Sequence, residues 1–355
     1  WISGVLSCVF GAIGFLAVAC FHFPELLTMP ELRSLYPVPY IRALLQFILV
    51  SSFVLGVISI YLRRSKSIGG IGILLTLTAA LFGGSRVPID GELADGPFLG
   101  LDWFLLNIIA FSVIFVPLEL LFPYRREQPI FRKFWKTDLA YFFVSHVFIQ
   151  IVTILTLKPA VVFFEWTTYT AIRSFIGGQY FIVQFIGILV VADMTQYWVH
   201  RLFHSVPRLW KFHAVHHSAE TMDWLAGSRL HLVDIAVTRA LSYVPIYWLG
   251  FSEGPLFAYI IFVSIHATFI HSNFRVEFGL LRWLIATPRF HHWHHTSDPA
   301  VLDKNFAVHL PFIDKIFGTY YFPRAAWPTT YGVTDADLPP SGFFAQLAYP
   351  FRSKS

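Results

Sequence analysis

Charged residues are scarce in this sequence: Asp, Glu, Lys and Arg make up 13% of the 355 residues, about half of what soluble domains carry. Hydrophobic residues make up 56%, and several apolar runs approach the roughly 20 residues with which an α-helix crosses a bilayer. This composition excludes an ordinary soluble domain and predicts an all-α, polytopic helical membrane protein. The net charge of +5 comes from Lys and Arg in short loops beside apolar runs, which favours lipid head groups over nucleic acid as a partner.

Cysteine is almost absent as well. Cys8 and Cys20 both lie in the first apolar run, which excludes a disulfide framework beyond that one pair and excludes a cysteine-based metal site. The sequence also lacks a Walker A loop, a G-x-G-x-x-G fingerprint and an internal repeat. Because the chain begins at Trp1 without a Met, we expect a preceding segment. The first run has no cleavage site of small residues, so we interpret it as a membrane span and not as a signal peptide.

Six apolar runs predict membrane spans, and two further apolar runs follow them. The predicted spans cover residues 2–21, 40–62, 68–82, 103–122, 138–157 and 180–199. In the later runs, 232–249 and 255–270, Pro245 and Pro255 favour a broken hairpin, which is either re-entrant or crosses twice. Residues 1–125 then form N-terminal transmembrane helices of unassigned role, and residues 326–355 form a polar C-terminal tail.

The charges of the loops predict the orientation of these spans. Loop 63–66 is basic, and the positive-inside rule places it in the cytoplasm. Successive crossings then put the acidic loop 90–102 outside and the basic loop 125–136 inside. The histidine-rich segments that follow the sixth span and the hairpin also fall inside. We therefore expect a His-rich helical cap on the cytoplasmic side of the membrane.

Histidine, in contrast, is concentrated in three clusters with helical spacing. Residues three or four apart share one helix face, so each cluster forms a pincer of imidazoles. Eight imidazoles exceed the four ligands of one tetrahedral zinc, and the clusters predict a site for two metal ions with open positions. Histidines without a metal are the alternative, but they leave the matched spacing of three clusters unexplained. The eight candidate ligands are His200, His204, His213, His216, His217, His291, His294 and His295.

Imidazole ligands alone suit zinc, copper, iron or nickel. A structural zinc needs four ligands in a closed shell, and a hydrolytic zinc needs about three ligands with a water. Eight histidines around two ions leave positions for dioxygen, which favours redox-active iron. Beside a membrane the expected substrate is a lipid, and oxidation is the reaction that attacks the C–H bonds of a hydrocarbon chain.

The histidine clusters belong to longer motifs. In chain order these are D-x-x-x-Y-W-x-H-R-x-x-H, L-W-x-x-H-x-x-H-H-S, R-F-H-x-W-H-H-T, D-x-N-F and D-x-x-F-G-T-Y, between Asp193 and Tyr320. In order, spacing and flanking residues they resemble the fatty acid hydroxylase/sterol desaturase superfamily of integral-membrane di-iron enzymes. The resemblance implies that residues 126–325 form the membrane-embedded catalytic domain. It also implies that the eight histidines bind two non-haem irons and that O2 is the co-substrate.

The resemblance adds three histidines between the second and third motifs. His231 in S-R-L-H and His271 in H-S-N-F match positions where family members hold further histidines, and His266 is expected to act with His271. For His231, a helix cap or a hydrogen bond in the core is the alternative to a place at the metal site. Family members commonly have a proline and an acid after the S-R-L-H histidine. This chain has L-V-D there, which leaves the substrate subclass open.

Ligating histidines usually donate their other ring nitrogen to a hydrogen-bond acceptor. Asp193 lies two helical turns before His200 on the same face, and we expect it either to hold a ligand imidazole or to pair with an arginine. For the acids further along the chain, helix capping is the alternative role. These further candidates for support of the ligands, or of a bound water, are Asp298, Asp303, Asp314 and Asn305. The histidines outside the pattern, expected to be structural, are His22, His146 and His309.

The sequence therefore predicts a membrane di-iron oxygenase that uses O2 and external electrons to hydroxylate, or desaturate, a C–H bond of a lipid. The absence of an H-P-G-G haem signature and of flavin or nicotinamide fingerprints implies a separate electron donor: cytochrome b5, a ferredoxin or a reductase. The lipid stays open among sterol, sphingolipid, fatty acyl, ether lipid and carotenoid. Without an appended haem domain, a bacterial inner membrane is favoured over the endoplasmic reticulum.

Two other functions fit parts of the pattern. A zinc-dependent membrane hydrolase would use three histidine ligands and an acidic general base. A metal transporter or sensor would place ionisable groups near the middle of several spans, whereas the first four spans have few such groups.

Overall fold

The chain folds into α-helices. The computed structural model describes residues 2–33, 35–62, 66–89, 96–323, 326–333 and 338–352. Of the loops that predict the orientation, residues 63–65 and 90–95 lie outside the described residues. The α-helices are α1 (Ile2–His22), α2 (Pro24–Leu27), α3 (Pro30–Arg33), α4 (Val38–Leu62), α5 (Ser67–Leu81), α6 (Leu101–Leu121), α7 (Trp135–Val147), α8 (Ile149–Phe164), α9 (Thr170–Gly177), α10 (Phe181–Ser205), α11 (Pro207–His217), α12 (Leu232–Leu249), α13 (Glu253–His271), α14 (Pro288–His294), α15 (Phe312–Ile316) and α16 (Phe343–Ala348).

Short 3-10 helices and isolated bridges complete the secondary structure of the described residues. The 3-10 helices are Gly84–Arg86, Glu165–Thr167, Ala226–Ser228, Gly279–Trp283, Pro299–Val301 and Tyr349–Phe351. Pairing of extended backbone in this part of the chain is limited to two antiparallel bridges, Pro123 with Phe274 and Thr296 with Tyr331. The predicted all-α fold class is therefore confirmed.

Within the part of the chain that the structure describes, seven helical segments are long and apolar enough to cross a membrane, by length and composition. They are Ile2–His22, Val38–Leu62, Ser67–Arg86, Leu101–Leu121, Phe181–Ser205, Leu232–Leu249 and Glu253–His271. The predicted span 138–157 is different, because α7 and α8 meet there at 62°. The Val147 carbonyl, which a straight helix would use internally, accepts a hydrogen bond from the Gly100 N–H at 2.8 Å. The run is therefore apolar and helical over the predicted length, but it is bent, either as a broken span or as a re-entrant loop.

The hairpin after the second histidine cluster is also simpler than predicted. Pro245 lies inside α12 without ending it, and Pro255 lies in the first turn of α13, where its missing N–H is not needed. The chain turns instead at Gly250, whose φ of 77° lies in the left-handed region that glycine enters without strain. Both helices are therefore continuous over their apolar runs.

The structure packs as two units. Unit 1 comprises Trp1–Ile109 and His146–Gln150, and unit 2 comprises Ala110–Ser145 and Ile151–Ser355. In unit 1, α1, α4 and α5 pack together through small and hydroxyl side chains, as membrane helices commonly do. The Ser7 hydroxyl donates to the Ser52 carbonyl at 2.8 Å, and the Thr76 hydroxyl donates to Ser52 Oγ at 2.7 Å. The predicted functional boundary at residue 125 stays a prediction.

Helix α10 is the centre of unit 2, since α11, α12 and α13 all pack against it. Its middle is held by apolar contacts of Ile188 and Ala192 with Ile246 and Tyr259. Nearer its C-terminal end, Tyr197 packs in a cluster with Phe306, Leu310 and Ile313. These contacts position the last two turns of α10, which carry the first histidines of the site.

Candidate metal centre

The histidine site is built at the C-terminal ends of four helices. His200 and His204 lie in the last turns of α10, and the second cluster ends α11. His271 is the last residue of α13, and the third cluster occupies α14 and the residue after it. Proline at the first position of α11 and of α14 starts both of these short helices. The partial negative charge at a helix C-terminus favours cations, so this arrangement suits positive ions.

Among the described residues, nine histidines form two groups that could each hold a metal ion. The five-histidine group is His200, His204, His213, His217 and His294. The four-histidine group is His216, His271, His291 and His295. Within each group the candidate ligand atoms all lie within 4.8 Å of one another. All eight histidines predicted from spacing lie in these two groups, together with His271. The adjacent residues His216 and His217 belong to different groups.

The ring nitrogens within each group face one another at the spacing that two ligands of one ion require. At a metal–nitrogen distance of about 2.1 Å, two ligands at a right angle lie about 3.0 Å apart. The observed Nε2–Nε2 distances are 2.9 Å for His200–His213, 3.2 Å for His213–His217, 3.2 Å for His216–His271, 3.0 Å for His271–His291 and 3.1 Å for His291–His295. The geometry of the nitrogens therefore fits bound ions.

Hydrogen bonds on the opposite ring nitrogen orient six of the nine imidazoles. Four Nδ1 atoms donate to backbone carbonyls: His200 to Phe306, His216 to Arg229, His271 to Ala267 and His294 to Lys304, at 2.6 to 3.1 Å. His213 donates to Asp234 at 2.6 Å, and His204 donates to Asp303 at 3.0 Å. Because a carbonyl oxygen only accepts, the proton lies on Nδ1 and the Nε2 lone pair is free to bind a metal.

Several buried nitrogens of the site are otherwise unpaired. The Nε2 atoms of His204 and His294 have no hydrogen-bond partner among the described residues. Buried polar atoms without a partner are rare in folded proteins and call for an explanation. A metal ion bound by the five-histidine group would satisfy both atoms, so the donor set fits such an ion.

Several histidines of the site lie outside the membrane spans. Burial keeps them in the neutral form that binds metals. It lowers the pKa of each far below its ordinary value, and neighbouring histidines lower it further. The histidines affected in this way are His213, His216, His217, His291, His294 and His295. Metal binding at these nitrogens therefore needs no deprotonation near neutral pH.

Two predicted ligands lie outside both groups. His231 caps α12, where its Nδ1 accepts from the Val233 N–H at 3.1 Å, and its Nε2 donates to the Leu347 carbonyl. His266 donates from Nε2 to the Ala286 carbonyl at 3.0 Å, and its Nδ1 lies 2.9 Å from His309 Nδ1. Since His266 precedes His271 by five positions, the two side chains point about 140° apart around α13. Neither His231 nor His266 therefore contributes to the two groups as the structure has them.

Of the acids and amides predicted beside the ligands, Asp303 alone contacts one of the nine histidines. Asp193 instead accepts hydrogen bonds from the backbone N–H groups of residues 308–310, at 2.6 to 3.1 Å. Asp298 caps a 3-10 helix through the Ala300 N–H. Asn305 donates to the Phe290 carbonyl at 2.9 Å, which ties its segment to α14.

The D-x-N-F segment is shaped by two left-handed residues. Asp303 and Asn305 have φ values of 57° and 59°, which Asp and Asn tolerate better than most residues. The resulting turn directs the Asp303 carboxylate at His204 and the Lys304 carbonyl at His294. This explains why the motif combines these residue types, although sequence alone did not predict the turn.

Sequence reasoning did not predict the role of Asp234, which holds His213. Its position in the first turn of α12, three residues after a histidine of the motif, was the available signal. It also did not predict the buried ion-pair network of unit 2. In this network Asp138 binds Arg132 at 2.6 Å and Arg229 at 2.5 Å, and Arg132 also binds Asp223 at 2.7 Å.

The network matters for the site because the Arg229 carbonyl accepts the hydrogen bond from His216. The Arg229 guanidinium also donates to Ser218 Oγ at 3.1 Å, directly after the second histidine cluster. The loop between α11 and α12 is thereby tied to α7 at one end of the four-histidine group. The nearby acids raise the pKa of Arg132 although burial lowers it, so the guanidinium stays charged.

Comparison with known proteins agrees with this site. Residues 185–319 match the family model described as fatty acid hydroxylase. The chain is 35% identical over 167 residues to ornithine lipid hydroxylase OlsE of Rhizobium tropici, which covers 47% of this chain and 50% of that protein. It is 32% identical over 139 residues to alkylglycerol monooxygenase of Xenopus tropicalis, covering 38% of this chain and 29% of that protein.

A third relative is matched over a longer stretch. The chain is 25% identical over 226 residues to methylsterol monooxygenase 1 of Gallus gallus, which covers 61% of this chain and 72% of that protein. The chain spans half or less of the length of the other two relatives. The search for similar solved structures found no significant match. The histidine motifs and both groups lie inside or next to the matched segment, so residues 185–319 form a fatty acid hydroxylase domain that is similar to these members of the fatty acid hydroxylase/sterol desaturase superfamily.

Proposed function

We propose that this chain is a membrane lipid oxygenase, which hydroxylates a C–H bond of a lipid with O2 and external electrons, or desaturates it. The observation that carries the proposal is the pair of histidine groups at the ends of apolar helices, inside a fatty acid hydroxylase domain. All three relatives described above are named as hydroxylases or monooxygenases of lipids or sterols. Hydroxylation is therefore the preferred reaction.

The two groups would hold two irons, one in each. When bound, the irons supply the activation of O2 that a C–H bond of an unactivated hydrocarbon needs. The residues of the chain keep the imidazoles neutral, aim their Nε2 atoms inward and bury them. Eight of the nine are buried, and the side chain of His204 is only 7% exposed, so bulk water has little access.

Hydroxylation consumes electrons that the lipid does not provide. One C–H bond, one O2, two electrons and two protons give one alcohol and one water. We propose that a separate protein supplies the two electrons: cytochrome b5, a ferredoxin or a reductase. We also propose that the centre faces the cytoplasm and that the membrane is a bacterial inner membrane, a setting supported by the bacterial origin of ornithine lipid hydroxylase OlsE.

The substrate is proposed as a membrane lipid with a long alkyl chain that reaches the centre from the bilayer. The relatives act by name on an ornithine lipid, an alkylglycerol and a methylsterol. The shared feature is a hydrocarbon held in a membrane. Ornithine lipid is the first substrate to assay because its hydroxylase is the most similar of the three relatives over the matched segment.

A zinc hydrolase is less well supported than an oxygenase. It would need a carboxylate free to act as a general base beside the metal. Among the described residues, the carboxylates hydrogen-bonded to histidines of the groups are those of Asp234 and Asp303, and they are bound to the Nδ1 atoms of His213 and His204. A transporter or sensor would not need nine histidines gathered at the helix ends.

Metal analysis of detergent-purified protein tests the proposal first. We expect close to two irons per chain, and the loss of at least one in His216→Ala and in His294→Ala. His22→Ala is the control, because His22 lies in α1 and its Nε2 contacts the Phe82 carbonyl. One ion or none, unaffected by either substitution, would contradict the metal centre.

Lipid analysis tests the reaction. Membranes that contain the chain, a reductant system and labelled O2 are expected to yield a lipid with one labelled oxygen atom. The His294→Ala variant should yield none. If the iron-loaded protein leaves ornithine lipids, alkylglycerols, sterols and fatty acyl lipids unchanged while an electron donor is oxidised normally, the oxygenase proposal is wrong.

A further inference from the structure

The two histidine groups differ in the acceptors behind their imidazoles. In the five-histidine group, the buried carboxylate of Asp234 accepts from His213 Nδ1 at 2.6 Å. Its other oxygen accepts from the Thr238 hydroxyl at 3.1 Å. Asp303 accepts from His204 Nδ1 at 3.0 Å. Two of the five imidazoles are thus backed by a carboxylate.

The four-histidine group has weaker support within the described part of the chain. The Nδ1 atoms of His216 and His271 donate to neutral backbone carbonyls. The Nδ1 atoms of His291 and His295 are buried and have no hydrogen-bond partner there. Among the described residues, no carboxylate is found to accept a hydrogen bond from an imidazole of this group.

This difference bears on metal affinity. A carboxylate that accepts the Nδ1 proton makes the opposite nitrogen a stronger donor and fixes the ring in the ligating orientation, and removing such a partner typically costs about 10- to 100-fold in metal affinity. The five-histidine group also offers one more imidazole. Both effects favour the same group, so they add.

We propose that the two groups bind metal unequally, and that the five-histidine group holds its ion at least about tenfold more tightly. Asp234 is the main positioning residue, acting through His213, and Asp303 is a second one, acting through His204. The inference rests on the proposed function only in that both groups bind a metal. It makes the five-histidine side the permanent part of the centre and the four-histidine side the part that exchanges its ion.

The experiment is a metal titration of the purified full chain, stripped with a chelator and then dialysed against buffered Zn2+. Zinc is used because it binds imidazole and does not react with O2. We expect two bound ions in two affinity classes. His295→Ala, which removes a ligand of the four-histidine group, should abolish the weaker class and leave the tighter one.

The variant His295→Ala then serves as a background with a single ion. In it, Asp234→Asn is expected to weaken zinc binding by about 10- to 100-fold, because an amide oxygen is a weaker acceptor for the His213 Nδ1 proton than a carboxylate. Asp303→Asn should weaken binding by a smaller factor. The Asp303 side chain is 66% exposed, so this variant keeps the test valid if Asp234→Asn fails to fold. The control is Asp298→Asn, an exposed aspartate that caps a 3-10 helix, for which binding should not change.

Three results would overturn the inference. They are a single affinity class in the unsubstituted protein, loss of the tighter class in His295→Ala, and unchanged zinc affinity in both aspartate variants. The proposed function fails separately. Two classes of bound metal without lipid oxidation would contradict the oxygenase alone, whereas lipid oxidation with one class would contradict the inference alone.

Discussion

Single residues of this domain act mainly by holding backbone segments beside the histidines. Asn305 illustrates the principle, because its left-handed φ and its side chain serve different purposes. The side-chain amide donates to the Phe290 carbonyl, and its oxygen accepts from the Tyr321 N–H at 2.7 Å. A glycine would keep the backbone conformation and lose these bonds.

We therefore predict that Asn305→Gly lowers the stability of the protein. The Phe290 carbonyl and both backbone groups of Tyr321 lose their side-chain partner, and each such loss at a buried group costs about 1–3 kcal/mol. Thermal unfolding in detergent, followed by the loss of helical circular dichroism, measures the change. If the positive φ were the only requirement at this position, the glycine variant would unfold at the temperature of the unsubstituted protein.

At the scale of elements, close packing of α1 against α5 depends on the absence of a side chain at Gly72. A Cβ there would lie 2.0 Å from Ser7 Oγ and 2.7 Å from the Ser7 carbonyl carbon. A backbone atom cannot move aside without moving its helix. The nearby Gly70 is a matched control, because its Cβ would meet nothing within 4 Å.

The prediction is that Gly72→Ala destabilises unit 1 and that Gly70→Ala does not. Alanine favours a helix over glycine by about 1 kcal/mol, so Gly70→Ala should be neutral or slightly stabilising. Thermal melting of both variants in the same detergent makes the comparison. Equal melting temperatures would show that α1 and α5 are not packed as closely as the structure has them.

The buried ion-pair network offers a second comparison of elements. Arg132 and Lys133 are neighbours and each contacts an acid, but the side chain of Arg132 is 2% exposed and that of Lys133 is 67% exposed. Removing one partner of a buried pair leaves an uncompensated charge and costs about 3–5 kcal/mol. An exposed pair contributes about 0–1 kcal/mol.

Arg132→Met should therefore lower the unfolding temperature strongly, whereas Lys133→Met should leave it nearly unchanged. Because Asp138 also binds Arg229, whose carbonyl supports His216, Arg132→Met is further expected to reduce bound metal. Melting curves and metal analysis of the two neighbours test this. Similar losses of stability in both variants would contradict the assignment of the network as buried.

For the molecule as a whole, features that depend on local spacing could be predicted from the sequence, whereas contacts between distant positions could not. Helical spacing found the eight clustered histidines, because residues three or four apart share a face whatever the fold. The contact of His204 with Asp303 joins positions 99 apart, and the contact of Asp193 with the 308–310 backbone joins positions 115 to 117 apart. Spacing along the chain contains no information about such contacts.

The same limit applies to the two predicted ligands that lie outside both histidine groups. His231 and His266 carry the right chemistry and lie near the motifs, and only the fold shows that one caps α12 and the other faces Ala286 and His309. Apolar length, in turn, predicted the spans but not the bend between α7 and α8, since length does not report which carbonyls leave the helical ladder.

The whole molecule should also respond to acid, because so many buried histidines are neutral. Burial lowers the pKa values of the histidines that lie outside the membrane spans. The pKa of His292 falls to about 3, and the pKa values of His309 and of the six histidines described above fall well below the ordinary value. In the unfolded chain each has its ordinary pKa of about 6.5 and takes up a proton below it. The unfolded state then binds more protons than the folded state, so stability is present above about pH 6.5 and is lost as the pH falls.

We predict that the metal-free protein melts at a nearly constant temperature between about pH 7 and 8 and at progressively lower temperatures from about pH 6.5 to 5. Zinc-loaded protein should resist this decline further into acid, since a nitrogen that binds a metal must lose the metal before it gains a proton. Differential scanning calorimetry of both forms in detergent measures the two curves. A metal-free protein whose melting temperature does not change over this range would mean that the histidines are not buried and neutral in solution.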